Sequence, residues 1–155
     1  MQPKITRYED LIAWQFADEL ADLVDDLTST GGAARNESFR EQILKSSAKA
    51  PAQIAEGFLR FKPRESANYY RIARASLGET TNHLRRGFHR KYWTEAEFTR
   101  ACKLADSAMK LTGGLLAAKL AQIRREEAEK QAKRRASGTV AARRPRNAGF
   151  QSPDE

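Results

Sequence analysis

The sequence predicts an all-α protein: an antiparallel up-down-up-down four-helix bundle with a basic C-terminal helical extension and a disordered tail. Three observations lead there. Apolar residues recur every three or four positions in four successive segments, the period of a helix with one buried face. Ala, Leu, Arg, Glu and Lys dominate the 155 residues, which favours helix over strand. The connections between segments are short, and short connections make consecutive helices antiparallel neighbours. Residues 1–123 make the bundle and residues 124–155 the basic, partly disordered tail.

The first helix is expected from Tyr8 to Leu27. Ile12, Phe16, Leu20, Leu23 and Leu27 fall in one arc at 100° per residue. Asp18, Glu19, Asp22, Asp25 and Asp26 fall opposite, with Trp14, Ala17 and Ala21 on a flank. Thr28-Ser-Thr-Gly-Gly then stops the helix. Ser38 and Glu41 have the spacing of a capping box that opens the second helix, which carries Phe39, Ile43, Ser47, Ala50 and Ile54 inward to about Gly57. Pro51 removes an amide donor inside it and predicts a kink or loosened turn. Pro63 suits the first turn of the third helix. Its core stripe is Tyr70, Ala73, Leu77, Thr81, Leu84 and Phe88, and Arg71, Arg74, Gly78, Asn82, Arg85 and His89 form a separate strip. Thr94 and Glu97 make a second capping box. Phe98, Cys102, Ala105, Met109, Thr112, Leu116 and Ile123 share one face of the fourth helix. Gly113-Gly114 asks for close packing or a bend there. Past Ile123 the apolar pattern fails: Arg124 to Ala136 extends as a polar rod, and the Gly, Pro and paired arginines from Ser137 onward read as disorder.

Charge is unevenly spread within the net +8. Residues 1–34 carry two Lys/Arg against seven Asp/Glu, whereas residues 35–91 carry thirteen against five. The tail, residues 119–155, has ten against five. A basic middle and a basic tail point to a polyanion, most simply RNA or DNA. The candidate phosphate-binding residues are Arg71, Arg74, Arg85, Arg86, Arg90 and Lys91 on and after the third helix, with Arg134, Arg135, Arg143 and Arg144 in the tail. Guanidinium forks match phosphate oxygens. The alternative for the helix-three arginines is pairing with the acidic first helix of an adjacent subunit, and the two roles are compatible. Trp14, Tyr69, Ile72 and Leu111 lie outside the core arcs and are the candidate oligomer interface.

Other chemistry finds little support. Glu56 and Glu79 read as structural acceptors, with no nucleophile near them in sequence. His83 and His89 stand about 240° apart on one helix and cannot share a metal, and the single Cys102 excludes a disulfide within the chain or a cysteine zinc cage. No phosphate-cradling glycine loop is present. The expectation is therefore a non-enzymatic protein with no cofactor and no metal. The N-terminus lacks a signal-peptide core, and Met109–Ala118 is too short to span a bilayer, so a cytoplasmic protein with no membrane partner is expected.

Several short blocks also agree in order and spacing with a known family. Tyr8-Glu-Asp-Leu with Ala13-Trp14-Gln15, Gln42-Ile43, Ala48 to Gly57 with its Ile54-Ala55-Glu56-Gly57, Tyr69-Tyr70, Ile72-Ala73 and Ser76-Leu77-Gly78-Glu79 resemble the bacterial four helix bundle protein family. These proteins are encoded by intervening sequences of 23S ribosomal RNA genes, with relatives elsewhere. The resemblance covers roughly residues 5–120. It implies a homopentamer without enzyme activity. Accessory variability determinant proteins of diversity-generating retroelements are similar in fold, and that likeness implies a basic pentameric barrel that binds a reverse transcriptase and nucleic acid. Gln53 stands where the family commonly has Asn, and the long basic tail departs from the usual pattern.

Overall fold

The computed structural model describes residues 5–142, with side chains to Ser137, and among these every regular element is helical. A single 3-10 turn at Tyr8–Asp10 leads into α1 (Ile12–Thr28). A one-turn α2 (Gly31–Arg35) follows, then α3 (Glu37–Leu59), α4 (Pro63–His89) and α5 (Glu95–Ala142). α1 packs on α3 and α5, and α4 packs on the same two, so α1 and α4 occupy opposite corners of the bundle.

Cross-helix contacts fix two registers. Phe39 meets the His83 ring edge-on at 6.0 Å, Thr80 Oγ1 donates to Ser46 Oγ at 3.0 Å, and a Cβ at Gly57 would lie 2.6 Å from the Tyr70 ring. Positions rise along α3 as they fall along α4, so these helices are antiparallel. Phe88 stacks on Phe98 at 4.6 Å, and Arg64 near the start of α4 pairs with Glu127 far along α5, so that pair is antiparallel too. The small residues of Ala48–Gly57 and Ile72–Glu79 thus have a physical use. Ser46 and Gly57 of α3 meet Thr80 and Tyr70 of α4, and the small residues Ser47, Ala50, Ala73 and Ser76 are buried on the same two helices. Leu20, Ile43, Ile54, Leu77 and Leu84 fill the centre, each contributing about 1.5–3 kcal/mol by leaving water.

The structure departs from the sequence reading in several places. Leu11 is extended (φ −73°, ψ 118°), which separates the 3-10 turn from α1. The buried arc of α1 is rotated from the one expected: Ala13, Ala17, Leu20, Leu23 and Val24 face inward while Ile12 is 57% exposed. Alanine at the seam lets α1 sit close to its neighbours, and this outweighs the hydrophobicity of Ile12 and Phe16. The α3 cap is Asn36, whose Oδ1 accepts from Phe39 N–H at 3.2 Å, not Ser38. The Thr94–Glu97 box does form, with Thr94 N–H donating to Glu97 Oε2 at 2.7 Å and Glu97 N–H to Thr94 Oγ1 at 3.3 Å. On α4, Thr80, Ser76 and His83 are buried and Thr81 is only half-buried, again because small side chains line the α3 contact.

α5 runs unbroken through Gly113-Gly114 and past Ser137 to Ala142, where composition alone predicts disorder. Its 48 residues span about 72 Å against about 40 Å for α4. Once the bundle nucleates a helix, each further residue adds a hydrogen bond at little cost. Glu126–Lys130 and Glu129–Lys133 add favourable i,i+4 spacing along the protruding rod.

Candidate nucleic-acid interface

The site is built on α4 because its inward residues fix which way its arginines point. With Ala67, Tyr70, Ala73, Leu77, Leu84 and Gly87 against the core, Arg71 and His89 point away from it, and Arg74 and Arg85 lean toward α5, where Arg85 lies close enough to act on the Cys102 thiol. All four are exposed. Arg74 lies over Gly113, where an added Cβ would be 3.8 Å from its Nε. No acidic partner within ion-pair distance meets Arg71, Arg74, Arg85 or Arg86 among the described residues. Arg85, Arg86, His89 and Arg90 line one hollow of about 340 Å³ at the end of α4.

The chain reversal after α4 positions Arg90 and Lys91. Lys91 has φ +58°, the left-handed region that L residues occupy at a cost. Its N–H donates to Phe88 O at 2.9 Å and the Tyr92 N–H to Gly87 O at 3.0 Å, the paired bonds of a Schellman ending. That ending throws Tyr92 back over Gly32 and drops Trp93 against Gly87. There Trp93 Nε1–H donates to Leu84 O at 3.1 Å. The Arg90 guanidinium sits 5.6 Å from the Phe39 ring centre. The Asn36 amide, with Arg90 close by, holds the Tyr92 phenol below its ordinary value, and Asn36 Nδ2 donates to Tyr92 Oη at 2.9 Å. Lys91 itself is exposed.

Arg134 and Arg135 lie on the exposed rod of α5, in a stretch from Arg124 to Arg135 with six Lys/Arg against three Glu. They are remote from the α4 strip along the axis, since Arg64 and Glu127 already mark the start of α4. Arg143 and Arg144 lie outside the described residues.

The four apolar interface candidates are all half-buried. Trp14 packs edge-on against Tyr8 at 5.4 Å and Leu111 packs against the core. Tyr69 Oη accepts from Arg60, whose guanidinium lies 4.9 Å from the Tyr69 ring centre and also pairs with Glu56. Ile72 sits at the edge of the α4 outer face. The large apolar side chains most open to solvent are others: Ile5 at 48%, Ile12 at 57%, Leu59 at 59% and Phe61 at 100%. Periodicity does not rank residues at a helix end. Leu59 and Phe61 therefore carry no mark in the sequence beyond being two large apolar residues in a polar, proline-terminated turn.

Of the other titratable groups, Glu79 Oε1 lies 3.7 Å from the buried His83 Nε2. Burial, and then Asp106, push the half-buried Cys102 thiol up. A wider groove of about 890 Å³ between α1 and α5 has Phe16 and Leu104 in its wall and the Glu19–Arg100 pair (3.6 Å) across it. No group of three or more His, Cys, Asp or Glu that could hold a metal occurs among the described residues, and no described helix is long and apolar enough to cross a membrane.

Comparison with known proteins bears on both the sequence and the fold. The sequence profile of the 23S rRNA-intervening sequence protein matches residues 9–114. A crystal structure of a protein of unknown function from the S23 ribosomal protein family of Bacteroides thetaiotaomicron superposes with a TM-score of 0.54 at 18% identity, covering 67% of this chain and 94% of that one. At that identity the likeness concerns the fold. A search of curated proteins finds no match.

Proposed function

Because this chain belongs to the 23S rRNA-intervening sequence protein family, we propose that it is a non-enzymatic, cytoplasmic scaffold that holds RNA or DNA by phosphate contacts. One observation carries the reading: a strip of α4 arginines stands clear of the core and free of described acidic partners, and it ends in a hollow lined by Arg85, Arg86, His89 and Arg90. Such an array neutralises phosphates by fork-shaped hydrogen bonds and is indifferent to base sequence. The α5 rod with Arg134 and Arg135 adds a second basic surface. The scaffold is a homo-oligomer, a pentamer by the resemblance above.

The test is a titration of labelled RNA and duplex DNA at two salt concentrations, for the whole chain and for residues 1–123. Binding should weaken steeply with salt. Arg71→Glu/Arg74→Glu/Arg85→Glu should lower the slope of log K against log [salt] by about one unit for each phosphate that is no longer neutralised. Absence of binding at low salt refutes the reading.

A protein-docking module, such as an accessory subunit for a reverse transcriptase or other enzyme, is favoured by a different observation. Phe61 is fully exposed beside Leu59 at the α3–α4 turn, the kind of anchor that binding energy concentrates on. Phe61→Ser should then abolish association with a purified polymerase partner while leaving nucleic-acid titrations unchanged. Retained association would refute it.

A further inference from the structure

α1 and α4 each carry a one-signed face, and the fold keeps those faces apart. On α1, Asp18, Asp22, Asp25, Asp26 and Glu19 lie opposite the buried Ala13, Ala17, Leu20 and Val24. On α4, Arg71, Arg74 and Arg85 lie away from the core. Since α1 and α4 stand at opposite corners of the bundle, with α3 and α5 between them, these faces do not meet within one copy. Nor is either quenched locally. Among the described ion pairs Glu19 alone of the five α1 acids finds a partner, Arg100 at 3.6 Å, and the three arginines find none.

We propose that the acidic outer face of α1 in one copy docks on the arginine face of α4 in a second copy, so that self-association and polyanion binding compete for one surface. The competition rests on the phosphate-binding reading above, whereas the docking does not. Charge complementarity names the occupant, because the arginine face needs a helix-sized run of acid and the same chain presents one. The acidic run, about 12 Å along α1 from Asp18 to Asp26, fits within the roughly 21 Å from Arg71 to Arg85 along α4. The α4 face is also low at its middle, where Ala75 and Gly78 are exposed. Gly78 is not required small by its own bundle, because a Cβ there would meet only Met109 Cε, at 4.0 Å. A glycine inside a helix with no internal use lets a second helix approach closely. Mutual repulsion on α1 points the same way: burial and then Asp22 push the Asp18 carboxyl up, and a facing guanidinium would relieve that repulsion. Two different faces in contact make a head-to-tail interface, which closes into a ring or continues as a chain.

The test is sedimentation of the full chain at micromolar concentration and low salt. One variant carries Asp22→Lys, Asp25→Lys and Asp26→Lys. A second carries Arg71→Glu, Arg74→Glu and Arg85→Glu. A third carries all six and keeps the parent's net +8. Like charges facing each other should lower the association constant of the first two by roughly 100-fold. The six-fold variant should re-associate, which no folding defect would do, and circular dichroism verifies the helix content of each. Parent-like sedimentation of either single-face variant overturns the docking, as does a monomeric parent or a six-fold variant that stays monomeric. A duplex oligonucleotide added to the parent should release single subunits. An oligonucleotide that binds and leaves the assembly intact overturns the shared surface. If no oligonucleotide binds, the phosphate reading falls, and the swap series still decides the docking.

Discussion

Gly87→Ala tests the packing that positions the basic end of α4. A Cβ on residue 87 would lie 2.0 Å from Trp93 Cζ2 and 2.1 Å from Cη2. An ordinary carbon contact is about 3.5 Å, so the indole must retreat by roughly 1.5 Å. It has little room, being 6% exposed and flanked by Phe39 at 5.9 Å and Tyr92 at 6.1 Å. Retreat also pulls Nε1–H away from Leu84 O. Overpacking costs about 1–3 kcal/mol and a stranded buried donor about 1–3 kcal/mol, while alanine returns at most about 1 kcal/mol of helix propensity. The net loss should be about 1–5 kcal/mol. Gly114→Ala is the control, because nothing lies within 4 Å of its Cβ position, and it should gain about 0.5–1 kcal/mol. Urea unfolding at fixed protein concentration, followed by circular dichroism and tryptophan fluorescence, measures both. A Gly87→Ala midpoint at or above that of the parent would refute the reasoning.

Three further outcomes follow from particular residues. Asn36→Ala should cost about 1–2 kcal/mol, since it removes both the α3 cap and the bond to Tyr92, whereas Ser38→Ala should stay within about 0.5 kcal/mol; equal losses in urea titrations would reinstate Ser38 as the cap. Lys91→Gly should stabilise by about 1 kcal/mol by relieving the left-handed backbone at φ +58°, and a lowered unfolding midpoint would contradict that. Asp18 has its folded pKa raised by burial and by Asp22, so the stability carried by its protonated form is full below the ordinary carboxyl value of about 3.9 and is lost as pH rises through the raised one. Asp18→Asn should therefore raise the melting temperature at pH 7 and leave it unchanged near pH 3; a benefit of equal size at both values would exclude this cause.

The number of long helices, their order and the chemistry of their faces were written in the chain itself. Periodicity of 3.6 is a local property, so Tyr70, Ala73, Leu77 and Leu84 could be placed inward and Arg71, Arg74 and Arg85 outward from sequence alone. The same holds for the Thr94–Glu97 box and for Pro63 at a helix start, whose partners lie within one turn. What periodicity could not supply was the rotation of each helix against its neighbours. Ala17 rather than Ile12 entered the core, and Thr80 rather than Thr81, because the seam is chosen by how closely backbones approach and not by hydrophobicity summed along one helix. Tertiary contacts likewise decided that Asn36 caps α3, that Gly87 exists to admit Trp93, and that the acidic and arginine faces sit at opposite corners. That last arrangement depends on which helices are neighbours, and no local stretch of sequence encodes it.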